Sequence, residues 1–176
     1  RWVTFMGIIV LVGGCALLTK FNRLPISVRT SSVMLGAWLF AFFATLQSLI
    51  AYGPHVSGLK IWEARRISLL QDTLTTHFGR MQLVRIAALI VLAVVLRSSR
   101  WRVVRGYTVL VWLSIVVAIG TISFSGHAYS QSPLALSVAL DMVHFATIGF
   151  WVGSVVLFAI DRGGWLSGDE HSTQSV

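Results

Sequence analysis

Five long runs of apolar residues, separated by polar and basic stretches, dominate the chain. A helix that rises about 1.5 Å per residue can cross about 30 Å of hydrocarbon with runs of this length. The predicted transmembrane helices are residues 2–19, 31–52, 81–96, 106–125 and 134–160. The pattern therefore predicts an all-α protein, a polytopic membrane helix bundle with five transmembrane helices.

The stretch between the second and third runs, residues 53–80, is too polar to cross the bilayer. Its apolar side chains are Trp62, Leu69, Leu70 and Leu74, and the charged residues Glu63, Arg65, Arg66 and Asp72 lie between them. This pattern is typical of an amphipathic segment that lies at the membrane interface. We expect one transmembrane domain, residues 1–160, followed by a polar cytoplasmic tail or linker, residues 161–176.

Composition agrees with this class, because 56% of the residues are hydrophobic and only 11% are charged, against about 25% charged in soluble domains. The lipid bilayer is therefore the first expected partner. The net charge is +8, and the basic residues cluster between the apolar runs. This distribution is typical of the cationic loops of a membrane protein and not of a nucleic-acid-binding surface. The single cysteine, Cys15, excludes an internal disulfide and a cysteine-only metal cage; we interpret it as a packing residue.

The distribution of lysine and arginine predicts how the helices are oriented. One side of the membrane collects most of the cations from short loops: Lys20, Arg23, Arg29, Arg97, Arg100, Arg102, Arg105 and Arg162. The other side has Arg1, Lys60, Arg65, Arg66 and Arg80. The positive-inside rule places the first and third loops and the C-terminus in the cytoplasm, and the N-terminus outside.

Two ionisable side chains, Asp141 and His144, are embedded in the fifth apolar run. Such residues are costly in a membrane and indicate an ion path, a metal or cofactor site, or a buried pair. Their spacing of three residues puts them on one helix face, on a stripe with Ile148 and Trp151. Arg85 lies about 9 Å into the third helix and Asp141 about 12 Å into the fifth. Because these depths overlap, we hypothesise that Arg85 neutralises Asp141.

Two further histidines are predicted at the same outer end. His127 follows the fourth helix, and His77 precedes the third. Imidazole and carboxylate together suit copper, zinc or iron, and the thioethers of Met142 and Met81 are additional candidate donors. We predict a metal site at His127, His144, Asp141 and His77. Structural alternatives remain: a hydrogen-bonded Asp141–His144 pair, a helix-end role for His127, or a b-type haem held by His144 with His127 or His77.

The fifth helix also contains the motif Gly149-Phe150-Trp151-Val152-Gly153. Two glycines at this spacing let another helix approach closely, and they lie on a different face from Asp141 and His144. The alternative role as a structural subunit of a larger membrane complex relies on this face and on the aromatic residues.

Several short motifs, in order along the chain, resemble the CopD family of bacterial inner-membrane proteins. They are Arg1-Trp2 before a helix with two adjacent glycines, residues 74–85, Ser125-Gly126-His127-Ala128, Asp141-Met142-Val143-His144 and Phe150-Trp151-Val152-Gly153. The resemblance is to the N-terminal half of such proteins, which usually continue with further helices.

The resemblance implies a protein of copper resistance or uptake in the bacterial inner membrane, working beside a periplasmic copper carrier of the CopC type. It implies that His127, Asp141 and His144 are functional positions. We therefore expect a protein that takes copper from the periplasmic side and moves it into or across the membrane. No nucleophile with a base, phosphate loop or redox dithiol is visible in the sequence, so we do not expect an enzyme.

Overall fold

The computed structural model of the protein describes residues 2–20, 28–60, 67–97 and 106–160. Within these ranges the chain is helical and contains no strand, which confirms the predicted all-α class. The elements are α1 Trp2–Lys20, α2 Val28–Val56, α3 Ile67–Thr75, α4 His77–Arg97, α5 Tyr107–Phe124, a 3₁₀ turn His127–Ser130 and α6 Leu134–Ile160. The predicted tail, residues 161–176, lies outside the described residues.

Four of the predicted crossings, α2, α4, α5 and α6, are long and apolar enough to span a membrane. The first predicted crossing corresponds to α1, whose apolar stretch Val3–Thr19 is shorter. Large apolar side chains such as Phe40, Phe43 and Phe150 lie on the outer surface of the helices. Hydrocarbon is as apolar as these side chains, so the outer surface suits a lipid environment, and the protein is a polytopic membrane protein.

The C-terminal end of α2 differs from the one predicted by hydropathy. α2 continues past residue 52 through Pro54 to Val56. It ends where Gly58 adopts a φ of 66° and the N–H of Leu59 donates to the carbonyl of Pro54 at 2.9 Å. This is a glycine cap of the Schellman type, which satisfies a carbonyl that the end of the helix would otherwise leave open.

The predicted interfacial segment contains the short helix α3, which runs along the end of the bundle and packs against α2 and α4. Gln71 and Asp72 are exposed, whereas Thr73 is buried. Four members of the predicted amphipathic pattern, Trp62, Glu63, Arg65 and Arg66, lie outside the described residues.

α1 occupies the centre of the described bundle, in contact with α2, α5 and α6. The backbones of α1 and α6 meet at Gly13 and Gly153: a Cβ atom added to Gly153 would lie 3.0 Å from the Cα of Gly13. A Cβ added to Gly149 would lie 2.8 Å from the Cβ of Val12. The predicted close approach at the two glycines of the fifth run is therefore present, and its partner is α1.

Candidate functional site

A polar cavity of about 360 Å³ opens at the end of the bundle that carries the 3₁₀ turn. Side chains from α1, α2, α4, α5 and α6 and from the 3₁₀ turn surround it. Its polar and charged lining residues are Thr4, Ser48, Gln82, Arg85, Ser125, His127 and Asp141. Phe5, Phe78, Ile122 and Phe145 complete the wall. Among the described residues, this cavity brings together side chains of both charges inside a membrane bundle.

Arg85 is the buried cation of this cavity, with 4% of its surface exposed. Its Nε donates to the hydroxyl of Thr121 at 2.9 Å, and its Nη2 donates to the hydroxyl of Ser125 at 3.2 Å. Both hydroxyls belong to the end of α5, and each donates in turn to a backbone carbonyl of that helix. The guanidinium of α4 is therefore held in a defined position against α5.

Asp141 is half-buried on α6 and lines the same cavity as Arg85. The two opposite charges thus share one cavity, as the neutralisation hypothesis requires. Within the described part of the chain, however, the carboxylate makes no hydrogen bond or ion pair, while the Arg85 guanidinium is directed at the α5 hydroxyls.

His127 is the first residue of the 3₁₀ turn and lines the cavity while it remains exposed on the outside. Its carbonyl accepts a hydrogen bond from the hydroxyl of Ser130 at 2.8 Å, which closes the turn. The turn thus presents an imidazole at the mouth of a cavity that contains a carboxylate. His127 and Asp141 are the two predicted site residues that the structure brings to the same space.

The other two predicted ligands lie elsewhere. His77 uses its Nε2 to donate to the carbonyl of Phe124 at 3.0 Å, and its ring stacks on Tyr129 with 4.3 Å between centroids. His144 is exposed on the outer surface of α6, and its ring meets Phe145 edge-on. Neither lines the cavity. Among the described residues, no three histidine, cysteine, aspartate or glutamate side chains converge as a metal-binding group.

Gln82 is a cavity residue that the sequence analysis did not single out. It lies on α4, one turn before Arg85, and only 2% of its surface is exposed. Among the residues that the structure describes, its Oε1 has no hydrogen-bond partner. The sequence feature that indicates this residue is the spacing of three between Gln82 and Arg85 in an otherwise apolar run. This spacing directs both side chains to one helix face.

A second cavity, of about 440 Å³, adjoins the first on the side of the α2 end. It is lined by Ala51, Tyr52, Pro54, His55 and Leu59, together with Ser48 and Phe78. Ser48 and Phe78 also line the first cavity. The rings of Tyr52 and Phe78 stack with 4.2 Å between centroids, so this aromatic pair stands where the two cavities meet.

A family model described as copper resistance protein D-like, N-terminal domain, matches residues 1–134 of the chain. The chain belongs to this family. The matched region of this copper resistance protein D-like chain contains Gln82, Arg85 and His127, whereas Asp141 and His144 follow its end. Comparison with curated proteins and with solved structures gives no match.

The family motif at residues 74–85 forms the corner between α3 and α4. The hydroxyl of Thr76 caps α4 by accepting from the N–H of Gly79 at 3.0 Å, and Gly79 lies in direct contact with the backbone of Thr73. The guanidinium of Arg80 donates to the carbonyl of Thr75 at 2.9 Å. In this copper resistance protein D-like chain, the corner fixes the start of α4 and with it the direction of Gln82 and Arg85 toward the cavity.

Proposed function

We propose that this protein binds copper from the periplasmic side in the polar cavity and passes it into or across the membrane. The observation that carries the proposal is the shared cavity of His127 and Asp141, in a chain of the copper resistance protein D-like family. Imidazole and carboxylate are both copper ligands, and both lie at the end of the bundle that the positive-inside rule assigns to the periplasm.

The cavity provides an acceptor for a cation rather than an open channel. His127 stands at the mouth, Asp141 lies inside, and the Arg85 guanidinium is fixed beside α5. Deeper along α4, the buried side chains Leu89 and Leu92 are apolar, and an apolar interior opposes an unpaired charge. In this proposal the bundle receives the ion at the cavity, and further movement inward requires a rearrangement or other helices.

His144 and His77 have different parts in the proposal. His77 joins the start of α4 to the end of α5 and thereby positions the cavity wall. His144 lies on the outer face of α6, one turn from Asp141, where it is accessible to a neighbouring helix. The periplasmic donor of the ion, of the kind the CopC carrier represents, is proposed to approach the exposed imidazole of His127.

The direct test is copper binding to the purified protein in lipid nanodiscs, measured by metal analysis and by titration. We expect one copper per chain, and affinities at least about tenfold weaker for His127→Ala and Asp141→Asn, since loss of one ligand or its partner costs roughly 10–100-fold. His144→Ala is the matched control, because this histidine does not line the cavity, and it should bind as the wild type does.

Two results would contradict the proposal. If the protein contains no copper after loading, the proposed function is wrong. If all three variants lose copper affinity equally, copper is not bound in the cavity. An absorbance spectrum of the same sample tests the haem alternative, because a b-type haem gives a strong Soret band and bound copper does not.

A further inference from the structure

A third cavity, of about 470 Å³, lies between α1, α2 and α4 at the end of the bundle opposite to the polar cavity. The positive-inside rule assigns this end to the cytoplasm. Ser31, in the first turn of α2, and Arg97, the last residue of α4, stand at its mouth. Leucine, methionine, alanine and tryptophan side chains form the rest of its described lining. This apolar cavity thus has a polar rim above a hydrophobic interior.

Trp38 closes the inner end of the apolar cavity. Its Nε1 donates to the carbonyl of Leu89 on α4 at 2.8 Å, and its ring stacks on Phe42 with 4.9 Å between centroids. The polar atom of the indole is therefore already engaged between α2 and α4. A buried polar group without a hydrogen-bond partner is costly, so this inner end suits a hydrocarbon chain and opposes the polar ring of a quinone.

The apolar cavity is also open toward the outside of the bundle. Leu35 of its lining is 58% exposed, and Ser31 and Arg97 are exposed too. The cavity lies between α2 and α4, from the Trp38–Leu89 hydrogen bond to the cytoplasmic helix ends. From Ser31 to Trp38 it extends about 10 Å along α2, at about 1.5 Å per residue. A bilayer lipid beside the protein can therefore enter sideways.

Arg97 gives the mouth of the apolar cavity a positive charge. Among the described residues, its guanidinium makes no hydrogen bond or ion pair. The two acidic residues in the described ranges, Asp72 and Asp141, lie at the opposite end of the bundle. Guanidinium binds phosphate through charge-assisted and often paired hydrogen bonds, and the hydroxyl of Ser31 is a further donor. The mouth is therefore complementary to a phosphate group.

We propose that the apolar cavity binds an anionic phospholipid of the cytoplasmic leaflet, with its phosphate at Arg97 and Ser31 and part of one acyl chain in the interior. A charge at the helix ends with hydrocarbon below it is the order of groups in a lipid of that leaflet. The bound lipid fills the space between α1, α2 and α4 and stabilises the folded protein, as does any ligand that binds only the folded state. This lipid site is independent of copper binding.

The head-group test is native mass spectrometry of the detergent-purified full chain with dioleoyl phosphatidylglycerol and dioleoyl phosphatidylcholine, which share acyl chains and differ in net charge. We expect one phosphatidylglycerol per chain, preferred about fivefold or more, since one cation near an anionic lipid surface contributes about that factor. Arg97→Gln should lose this preference. Arg29→Gln is the matched control and should keep it, because Arg29 is exposed on α2 two residues before Ser31 but does not line the cavity.

The acyl-chain test fills the interior with Ala93→Leu. Each buried methylene contributes about fourfold to lipid affinity, so displacing part of the chain should weaken phosphatidylglycerol binding at least about tenfold. Ala87→Leu is the matched control, because Ala87 is exposed on α4 and does not line the apolar cavity. Phosphatidylglycerol should raise the thermal unfolding temperature of the wild type and of Ala87→Leu but not of Ala93→Leu. If Ala93→Leu does not fold, the Arg97→Gln result still decides.

Three results would overturn the lipid site. Equal affinity of the wild type for the two phospholipids, or equal loss of preference in Arg97→Gln and Arg29→Gln, would show only a general cationic surface. Binding of soluble glycerophosphoglycerol as tightly as the whole lipid would show that the interior holds no acyl chain. Displacement of phosphatidylglycerol by ubiquinone-10, with quinone affinity unchanged in Arg97→Gln, would make the cavity a quinone site instead.

Discussion

At the scale of single residues, Arg85 shows how the bundle keeps a guanidinium inside the membrane. Its Nε donates to the hydroxyl of Thr121, which is itself buried. Replacing Thr121 by the isosteric valine removes this acceptor, and we expect the free energy of unfolding to fall by about 1–3 kcal/mol. Unfolding of the detergent-solubilised variant, followed by circular dichroism, measures the change.

Thr147→Val provides the control for this substitution. The Thr147 hydroxyl donates only to the carbonyl of Val143, four residues earlier on its own helix, and it faces outward. The valine at this position should change the unfolding free energy by less than about 0.5 kcal/mol, as surface substitutions usually do. Equal losses in the two variants would show that the contact with Arg85 contributes nothing.

The same scale shows why the sequence predicts part of the cavity and misses another part. Asp141 and His127 could be predicted because ionisable side chains stand out in or beside an apolar run. His144 was predicted to share the Asp141 face, but a step of three residues on a helix turns the side chain by about 60°. The edge of the cavity falls within that step, so Asp141 lines it and His144 does not. Gln82 carries no charge, and its sequence signal is correspondingly weak.

At the scale of helices, the contact between α1 and α6 depends on the absence of side chains at Gly13 and Gly153. A Cβ atom on Gly153 would meet the backbone of Ile9 and of Gly13, and backbone does not yield as the end of a flexible side chain does. Gly153→Leu should therefore cost at least the 1–3 kcal/mol typical of overpacking. We expect a lower unfolding temperature and a reduced yield of monodisperse protein in size-exclusion chromatography.

Gly36→Leu is the matched control, because no atom lies within 4 Å of a Cβ placed at this position of α2. The exposed leucine should raise helix stability slightly, since glycine costs roughly 1 kcal/mol in a helix interior. A Gly153→Leu protein as stable as Gly36→Leu would mean that α1 and α6 do not rely on close backbone approach.

Helix boundaries were the least predictable feature at this scale. Hydropathy ended the second helix at residue 52, before the breaker pair Gly53 and Pro54, yet the helix continues to its cap at Gly58. Hydropathy also began the third transmembrane helix at residue 81, whereas the Thr76 cap starts α4 at His77. Capping decides where a helix ends, and apolar length decides only that it exists.

At the scale of the whole molecule, the number and order of helices follow from the apolar runs, but their arrangement does not. The glycines of the fifth run indicate close approach of another helix but do not determine which one, because any helix with small residues could pack against them. The structure shows that the partner is α1, which contacts α2, α5 and α6. The convergence of five helices and the 3₁₀ turn around one cavity results from this arrangement, so the cavity as a whole could not be predicted from the sequence.

Under the proposed function, the second cavity (the outer cavity) and the aromatic pair beside it form a route by which copper reaches the first cavity. His55 lines the outer cavity, and Phe78, stacked on Tyr52, lines both spaces. Replacing Phe78 by alanine shortens this wall, and we expect copper to associate several-fold faster while its equilibrium affinity changes little, because Phe78 carries no donor atom. Stopped-flow quenching of tryptophan fluorescence measures the association rate.

Phe158→Ala controls for loss of an aromatic ring, since Phe158 lies exposed on the outer surface of α6 and borders neither cavity. Its association rate should equal that of the wild type. The unfolding temperature of Phe78→Ala must be recorded beside the association rate, because a half-buried phenylalanine contributes to packing. Phe78→Leu keeps most of the apolar volume, so this variant separates the loss of packing from the loss of the aromatic ring. An association rate in Phe78→Ala equal to that in Phe158→Ala would mean that ions enter directly past His127, and that the outer cavity is not part of the path.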